Sequence, residues 1–270
     1  MSVLRRTFLG GVVGVGVTTV LTACIPLRAE DAVIEPLPSG SLAPLPTALP
    51  GPQILPLDPT MPVFGVPSGS IYSLPTTVGN PIAWTVDDGW DADVVESYAV
   101  FARETGARLT FFICGSANGW SRSASILKPL VESGQVQIAN HTHSHIRMVD
   151  ASDDVIRAEL MTNHDVIQNL FGVDARPYFR PPFGVYDERV ARVAASVGYT
   201  VPVLWNGTLS DAGAIDPTLL VDFASRYMKP GVILLGHANH WPVATVFPQL
   251  VKILEDRNLV TVTLNDVYRA

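Results

Sequence analysis

The chain has 270 residues, 47% of them hydrophobic and 16% charged, with a formal net charge of −7. That length and apolar content suffice for a sizeable core. The acidic balance excludes the basic face on which nucleic-acid binding rests.

The chain opens "MSVLRRTFLGGVVGVGVTTVLTAC". A basic start at Arg5 and Arg6, an apolar Gly-rich run and small residues before Cys24 give the layout of an export signal over residues 1–23. Arg-Arg-x-Phe-Leu resembles the twin-arginine signal of bacteria. "LTAC" resembles a lipobox, with Cys24 as the lipidated residue. The mature protein is therefore expected outside the cytoplasm, anchored to the bacterial cell membrane through that lipid. The second cysteine, Cys114, then has no intrachain partner and is expected to pack as a small apolar group.

Residues 24–80 read as a tether. Twelve of the 22 prolines fall there, and each removes a backbone donor and fixes φ, so regular helix and sheet are disfavoured. The stretch from Pro67 onward has the alternative of wrapping the domain that follows.

From residue 81 to 270 the texture is that of one catalytic domain. "IAWTVD" is a short apolar strand and "ADVVESYAVFARETG" a helix ending at Gly106. "RLTFFIC" is a strand, "SASILKPLVESG" a helix, "VQIAN" a strand. "SDDVIRAELMTNHDVIQNLFG" is a long amphipathic helix capped by Ser152. "PYFRP" and "TVPVLW" are strands separated by the helix "YDERVARVAASVG". A helix from Pro217 leads to the strand "GVILLGH". The helix "VATVFPQLVKILEDRN", kinked at Pro248, leads to a last strand, "LVTVTL". Seven strands alternating with helices imply a mostly parallel sheet, an open doubly wound sheet or a closed barrel.

The polar residues gather at strand ends. "TVDDGW" sets Asp87 and Asp88 after the first strand, "NHTHSH" sets His141, His143 and His145 after the third, and "FRPPFG" sets Arg180 after the fourth. "WNGTLSD" follows the fifth, and His237 ends the sixth. In both α/β architectures these ends converge on one mouth. Adjacent carboxylates repel unless a cation lies between them. Asp88, His141 and His145 offer two nitrogens and one oxygen, the three-ligand pattern of a catalytic zinc site that keeps one position open. Elsewhere, Asn140 is expected to brace the histidine loop, His143 to play a supporting part, and His164 to lie on the surface of its helix.

Residues 82 to about 264 resemble the polysaccharide deacetylase family, the NodB-homology domain of carbohydrate esterase family four. "TVDDG", "HTHSH", "RPPFG" and "LGH" resemble family motifs in the family's order. The resemblance implies a distorted seven-stranded (β/α) barrel. It also implies a metal-dependent hydrolase that removes N-acetyl groups from an extracellular or cell-envelope glycan such as peptidoglycan or chitin. Asp88, His141 and His145 would hold the metal, most simply Zn2+, with Co2+ or another divalent ion also fitting. Asp87 would be the base that activates water, and Arg180 its partner. The backbone N–H of Phe183 would steady the oxyanion, and Leu235 would line the acetyl pocket. His237, partnered by Asp211, would protonate the leaving amine. One motif departs: Ala212 stands where the family has Trp, and Trp90 replaces a common proline. Trp90, Trp120 and Trp241 are the candidates for a substitute sugar-stacking face. The departure leaves two alternatives: an O-acetyl esterase or other C–N hydrolase on the same fold, and a non-catalytic surface lipoprotein that binds glycan.

Overall fold

The computed structural model describes residues 54–269. The export signal, Cys24 and the tether through residue 53 lie outside the described residues. In chain order the elements are β1 (Phe64–Gly65), β2 (Pro81–Asp88), α1 (Ala92–Thr105), β3 (Leu109–Ile113), α2 (Gly119–Glu132), β4 (Val136–Asn140), α3 (Asp153–Phe171), β5 (Tyr178–Phe179) and α4 (Glu188–Ser196). They continue with β6 (Val201–Pro202), β7 (Gly207–Thr208), α5 (Pro217–Tyr227), β8 (Ile233–His237), α6 (Pro242–Thr245), α7 (Phe247–Asp256), β9 (Val260–Thr261), α8 (Leu264–Val267) and β10 (Tyr268–Arg269).

The main sheet runs β6-β5-β4-β3-β2-β8-β7, with β9 paired to β2. Every pairing in it is parallel. The sheet curls as a half-barrel with helices outside, the seven-stranded barrel architecture that the family resemblance implies. Helix boundaries follow local chemistry. Asp91 caps α1 through its side chain, and Gly106 ends it in the left-handed region at φ 78. Ser152 caps α3 through Val155 N–H. The pattern read as one kinked helix divides at Val246 into α6 and α7, with Pro248 in the first turn of α7. Proline is disfavoured inside a helix and tolerated there. The expected last strand is short, because Thr263 caps α8.

Strand alternation sorts the chain into two apolar layers. Ile82, Trp84, Val86, Leu109, Phe111 and Ile113 pack towards the helices. Ala83, Phe112, Ala139 and Ile233 fill the inside of the curled sheet. Asp87, two residues past Thr85, therefore belongs to the inner face, and His237 lies opposite it in register across β2 and β8.

The proline-rich stretch wraps the domain from Pro67 onward, as the alternative to a free tether has it, and the wrapping begins earlier, at Ile54. From Ile54 on it packs as a strap, with Ile54, Met61, Ile71 and Leu74 buried. β1 pairs with β10. Ile71 bridges Val203 and Ser73 bridges Val232, through bonds such as Ile71 N–H to Pro202 O at 3.0 Å and Leu74 N–H to Gly231 O at 2.9 Å. The strap thus supplies partners to backbone groups at the open side of the sheet.

Candidate metal centre and active site

The site assembles at the C-terminal ends of β2, β4, β5 and β8. In a straight strand Asp87 and Asp88 would point to opposite faces. Asp88, however, has φ 75, and Gly89 follows at φ 101. This left-handed turn brings both carboxylates to His141: its Nε2 lies 3.5 Å from Asp87 Oδ2 and 3.4 Å from Asp88 Oδ1. Gly89 is required on a second count. A Cβ there would sit 2.2 Å from Trp120 Nε1, which donates to Asp88 O at 2.7 Å. Thr142, His145 and Phe183 also have positive φ, at 66, 58 and 61. Non-glycine residues in this region cost energy and persist where surrounding structure holds them.

The histidine loop is held from beneath. Asn140 Oδ1 accepts Thr142 N–H at 2.9 Å and Asn163 Nδ2 at 2.8 Å. Thr142 Oγ1 accepts His145 N–H at 3.1 Å. Asn140 braces the loop as expected, with Asn163 of α3 as an unforeseen second brace. His164 corrects its expectation. It is buried, its Nδ1 3.0 Å from Tyr199 Oη, because its position falls within the buried stripe of α3 that runs through Leu160 and Ile167.

Among the described residues, Asp88, His141 and His145 form one group able to hold a metal ion, with ligand atoms all within 4.8 Å of one another. The donor set fits. His141 Nδ1 lies 2.8 Å from Arg180 O, which as a carbonyl can only accept, so Nδ1 carries the proton and Nε2 is left as the ligating atom. Nε2 of His145 lies 3.4 Å from the same Asp88 Oδ1. Burial disfavours charge on Asp88, but His141, His145 and His237 more than offset it and hold the carboxyl well below the usual range. Burial and the neighbouring His141 push the pKa of His145 down, which favours the neutral ring that a metal ligand needs. Cys114 is buried with its Sγ 3.7 Å from Asp88 Oδ1. Burial and the two aspartates push its thiol far up, so it stays protonated and packs as the expected small group.

Arg180 is fully buried. Its Nη1 donates to Asp87 Oδ1 at 2.6 Å and to Thr85 Oγ1 at 2.9 Å, and its Nε to Val203 O at 3.0 Å. The guanidinium lies 4.1 Å from the centre of the Phe112 ring and 5.6 Å from that of Trp205. Asp87 is thus fixed through one oxygen while the other faces His141. Across the mouth, His237 Nδ1 lies 3.0 Å from Asp211 Oδ1, and its backbone N–H donates to Asp211 Oδ2 at 3.1 Å. Burial opposes charge on His237, yet Asp211, with Asp87 and Asp88 behind it, raises its pKa above the ordinary 6.5.

Leu235, buried, lies one alternation before His237 on the same face of β8. Phe183 is 61% exposed, its ring 4.6 Å from that of His145. Ala212, next to the buried Asp211, is exposed. Trp120 is fully buried and leaves the set of sugar-stacking candidates, whereas Trp90 and Trp241 are exposed. Asn239 escaped the sequence reading, since a single Asn carries no spacing signal, and Thr85 and Trp205 stand inside quoted motifs that assign them no role.

A polysaccharide deacetylase family model matches residues 75–202. An uncharacterized protein of Streptomyces coelicolor is 30% identical over 172 residues, 63% of this chain and 65% of its own length. The peptidoglycan-N-acetylglucosamine deacetylase of Bacillus cereus is 24% identical over 158 residues, 58% of this chain and 56% of its own length. The chain thus spans less than two thirds of either relative. In fold it is similar to a CE4 family pseudoenzyme from Bacillus anthracis, with a TM-score of 0.65 over 75% of this chain and 69% of that one at 19% identity.

Proposed function

Residues 75–202 of this chain belong to the polysaccharide deacetylase family, and from that premise we propose that the protein is a metal-dependent hydrolase removing N-acetyl groups from a cell-envelope glycan. One observation carries the reading. Asp87 on its Arg180 clamp, the Asp88–His141–His145 cluster and the His237–Asp211 pair all open on one mouth. The pseudoenzyme likeness concerns the fold alone and does not weigh against this set.

Asp88, His141 and His145 would hold the ion, with zinc the expected one. A divalent ion there supplies Lewis acidity to the acetyl carbonyl and to the attacking water. Asp87 takes the proton from that water through Oδ2, while Arg180 keeps Oδ1 occupied and the carboxylate in one orientation. Phe183 N–H donates to the oxygen on which negative charge develops. His237 gives a proton to the departing amine, and Asp211 fixes its Nδ1–H tautomer so that Nε2 faces the substrate. Leu235 lines the acetyl pocket. Peptidoglycan is the expected target, supported by the name of the Bacillus cereus relative and by the expected lipid anchor on Cys24.

A second reading, O-acetyl ester hydrolysis, is favoured by Ala212. This small exposed residue stands where the family resemblance places a Trp as one wall of the glycan groove, and the loss of that wall relaxes selection for an N-acetyl sugar without touching the catalytic set. Acetate release by the zinc-loaded protein separates the two, using peptidoglycan, chitooligosaccharides and acetylated xylan as substrates and Asp87→Asn as control. Acetate from an N-acetyl glycan, lost in the variant, supports the first reading. Acetate from xylan alone moves the protein to the second. Equal release by the variant removes Asp87 as the base.

A further inference from the structure

We propose that Asn239 is a positioning residue for the metal centre, acting through Asp88. The inference rests on the metal-dependent reading above and adds a residue that none of the sequence motifs contains.

Asn239 lies two residues past His237, on the turn that leaves β8. Its Nδ2 donates to Asp88 Oδ2 at 2.7 Å, and its Oδ1 accepts Trp90 N–H at 3.3 Å. The second bond fixes the orientation of the amide: a backbone N–H can only donate, so Oδ1 must face Trp90 and Nδ2 must face Asp88. The two oxygens of Asp88 are thereby distinguished. Oδ1 is the oxygen shared by the ring nitrogens of His141 and His145, 3.4 Å from each. Oδ2 is the oxygen held by the amide. Among the described residues, Asn239 makes the only side-chain hydrogen bond to Oδ2.

The support beneath Asn239 is rigid. Ala238 N–H donates to Asp87 O at 3.0 Å, and Asp91 N–H to Ala238 O at 3.2 Å. The loops after β2 and β8 are therefore joined on both sides of the amide. Asp88 itself stands on a left-handed backbone, and its main-chain oxygen is already used by Trp120 Nε1 at 2.7 Å and Cys114 N–H at 3.1 Å. Backbone bonds thus fix where the carboxylate starts, and Asn239 fixes how it is rotated about its last torsion. A ligating carboxylate free to turn loses part of its affinity to rotamer entropy, and outer hydrogen bonds of this kind typically account for ~10–100-fold in metal affinity.

The test measures Zn2+ affinity by competition with a chromogenic chelator, in the whole protein and in Asn239→Ala and Asn239→Ser, neither of which can reach Oδ2. Thermal melting of the metal-free proteins and the visible spectrum of the Co2+ forms accompany it. The expected result is an affinity ~10–100-fold weaker in both variants, an altered Co2+ spectrum and an unchanged metal-free melting temperature. Unchanged affinity in both variants would overturn the proposal, as would a lowered melting temperature with affinity intact, which marks a purely structural role. Failure of the unsubstituted protein to bind Zn2+ would instead overturn the metal-dependent reading, and the two failures are distinct.

Discussion

Arg180 and His141 meet through the arginine's backbone, whose carbonyl oxygen lies 2.8 Å from the imidazole Nδ1. The side chain of the same arginine turns the other way, to Asp87 at 2.6 Å. One residue thus orients a metal ligand with its main chain and the base with its side chain, and substitution can separate the two jobs. Arg180→Lys keeps the carbonyl, so metal content should be retained. It loses the guanidinium that donates to Asp87 while Thr85 and Val203 anchor it, and kcat should fall by ~10²-fold or more. Metal analysis beside steady-state kinetics checks this; lost metal in the lysine variant would mean that the side chain holds both. Arg180→Ala leaves Asp87 buried without its partner and should cost ~3–5 kcal/mol of stability, read by denaturant unfolding of the metal-free protein.

The strap sets where the folded unit begins. Ile54, Met61, Ile71 and Leu74 are buried in the core of the domain, and burial of one such side chain contributes ~1.5–3 kcal/mol. Together they approach the whole net stability of a typical domain, ~5–15 kcal/mol. A chain begun at residue 81 should therefore be insoluble or molten, whereas one begun at residue 46 should unfold cooperatively. Circular dichroism melts of the two decide it, and a cooperative melt for the shorter chain would show the strap to be dispensable.

That strap was also the least legible part of the sequence. Proline removes backbone donors, which argues against regular structure and says nothing about burial. Its four buried apolar residues have no period for a pattern to catch. The strand ends, by contrast, were legible, because parallel strands bring Asp87, His141, Arg180 and His237 to one mouth whatever the details of closure. Asp88 was legible as chemistry only: its arrival beside His141 depends on φ 75, which the following Gly89 allows and Trp120 enforces. His164 was misread as exposed although its position falls in the buried stripe of α3. There the polar residue type outweighed the spacing, and its partner, Tyr199, lies 35 residues away.

Metal affinity should weaken as pH falls through the neutral range. Burial opposes a charge on His141, but Asp87 and Asp88 more than offset it, so in the metal-free protein its pKa lies above the ordinary 6.5. Nε2 must be free of its proton to ligate. Below that pKa each pH unit should weaken apparent Zn2+ affinity ~10-fold. His145 is shifted the other way, so its proton is lost at lower pH than that of His141. Chelator competition between about pH 6 and pH 8 gives the slope, and a flat affinity there would exclude His141 from the ligand set.

His237 should set the alkaline limb of the rate. As the donor to the leaving amine it must carry its proton, and Asp211 raises the pKa of the ring against the opposing effect of burial. The donor's proton is present below the raised pKa and lost as pH rises through it, so activity falls on that side. Asp211→Asn removes the charge while its amide oxygen can still accept from Nδ1–H. The pKa should fall, and the alkaline limb of kcat should move to lower pH. A bound metal ion adds positive charge near the ring in both proteins, so it shifts the two limbs alike and leaves the sign of their difference unchanged. Profiles of kcat against pH for the two proteins, each saturated with metal, give that difference. If the limb stays in place while kcat falls uniformly, Asp211 orients the ring without tuning it. If neither the limb nor kcat changes, His237 is not the acid, and the proton reaches the leaving amine from another group at the mouth.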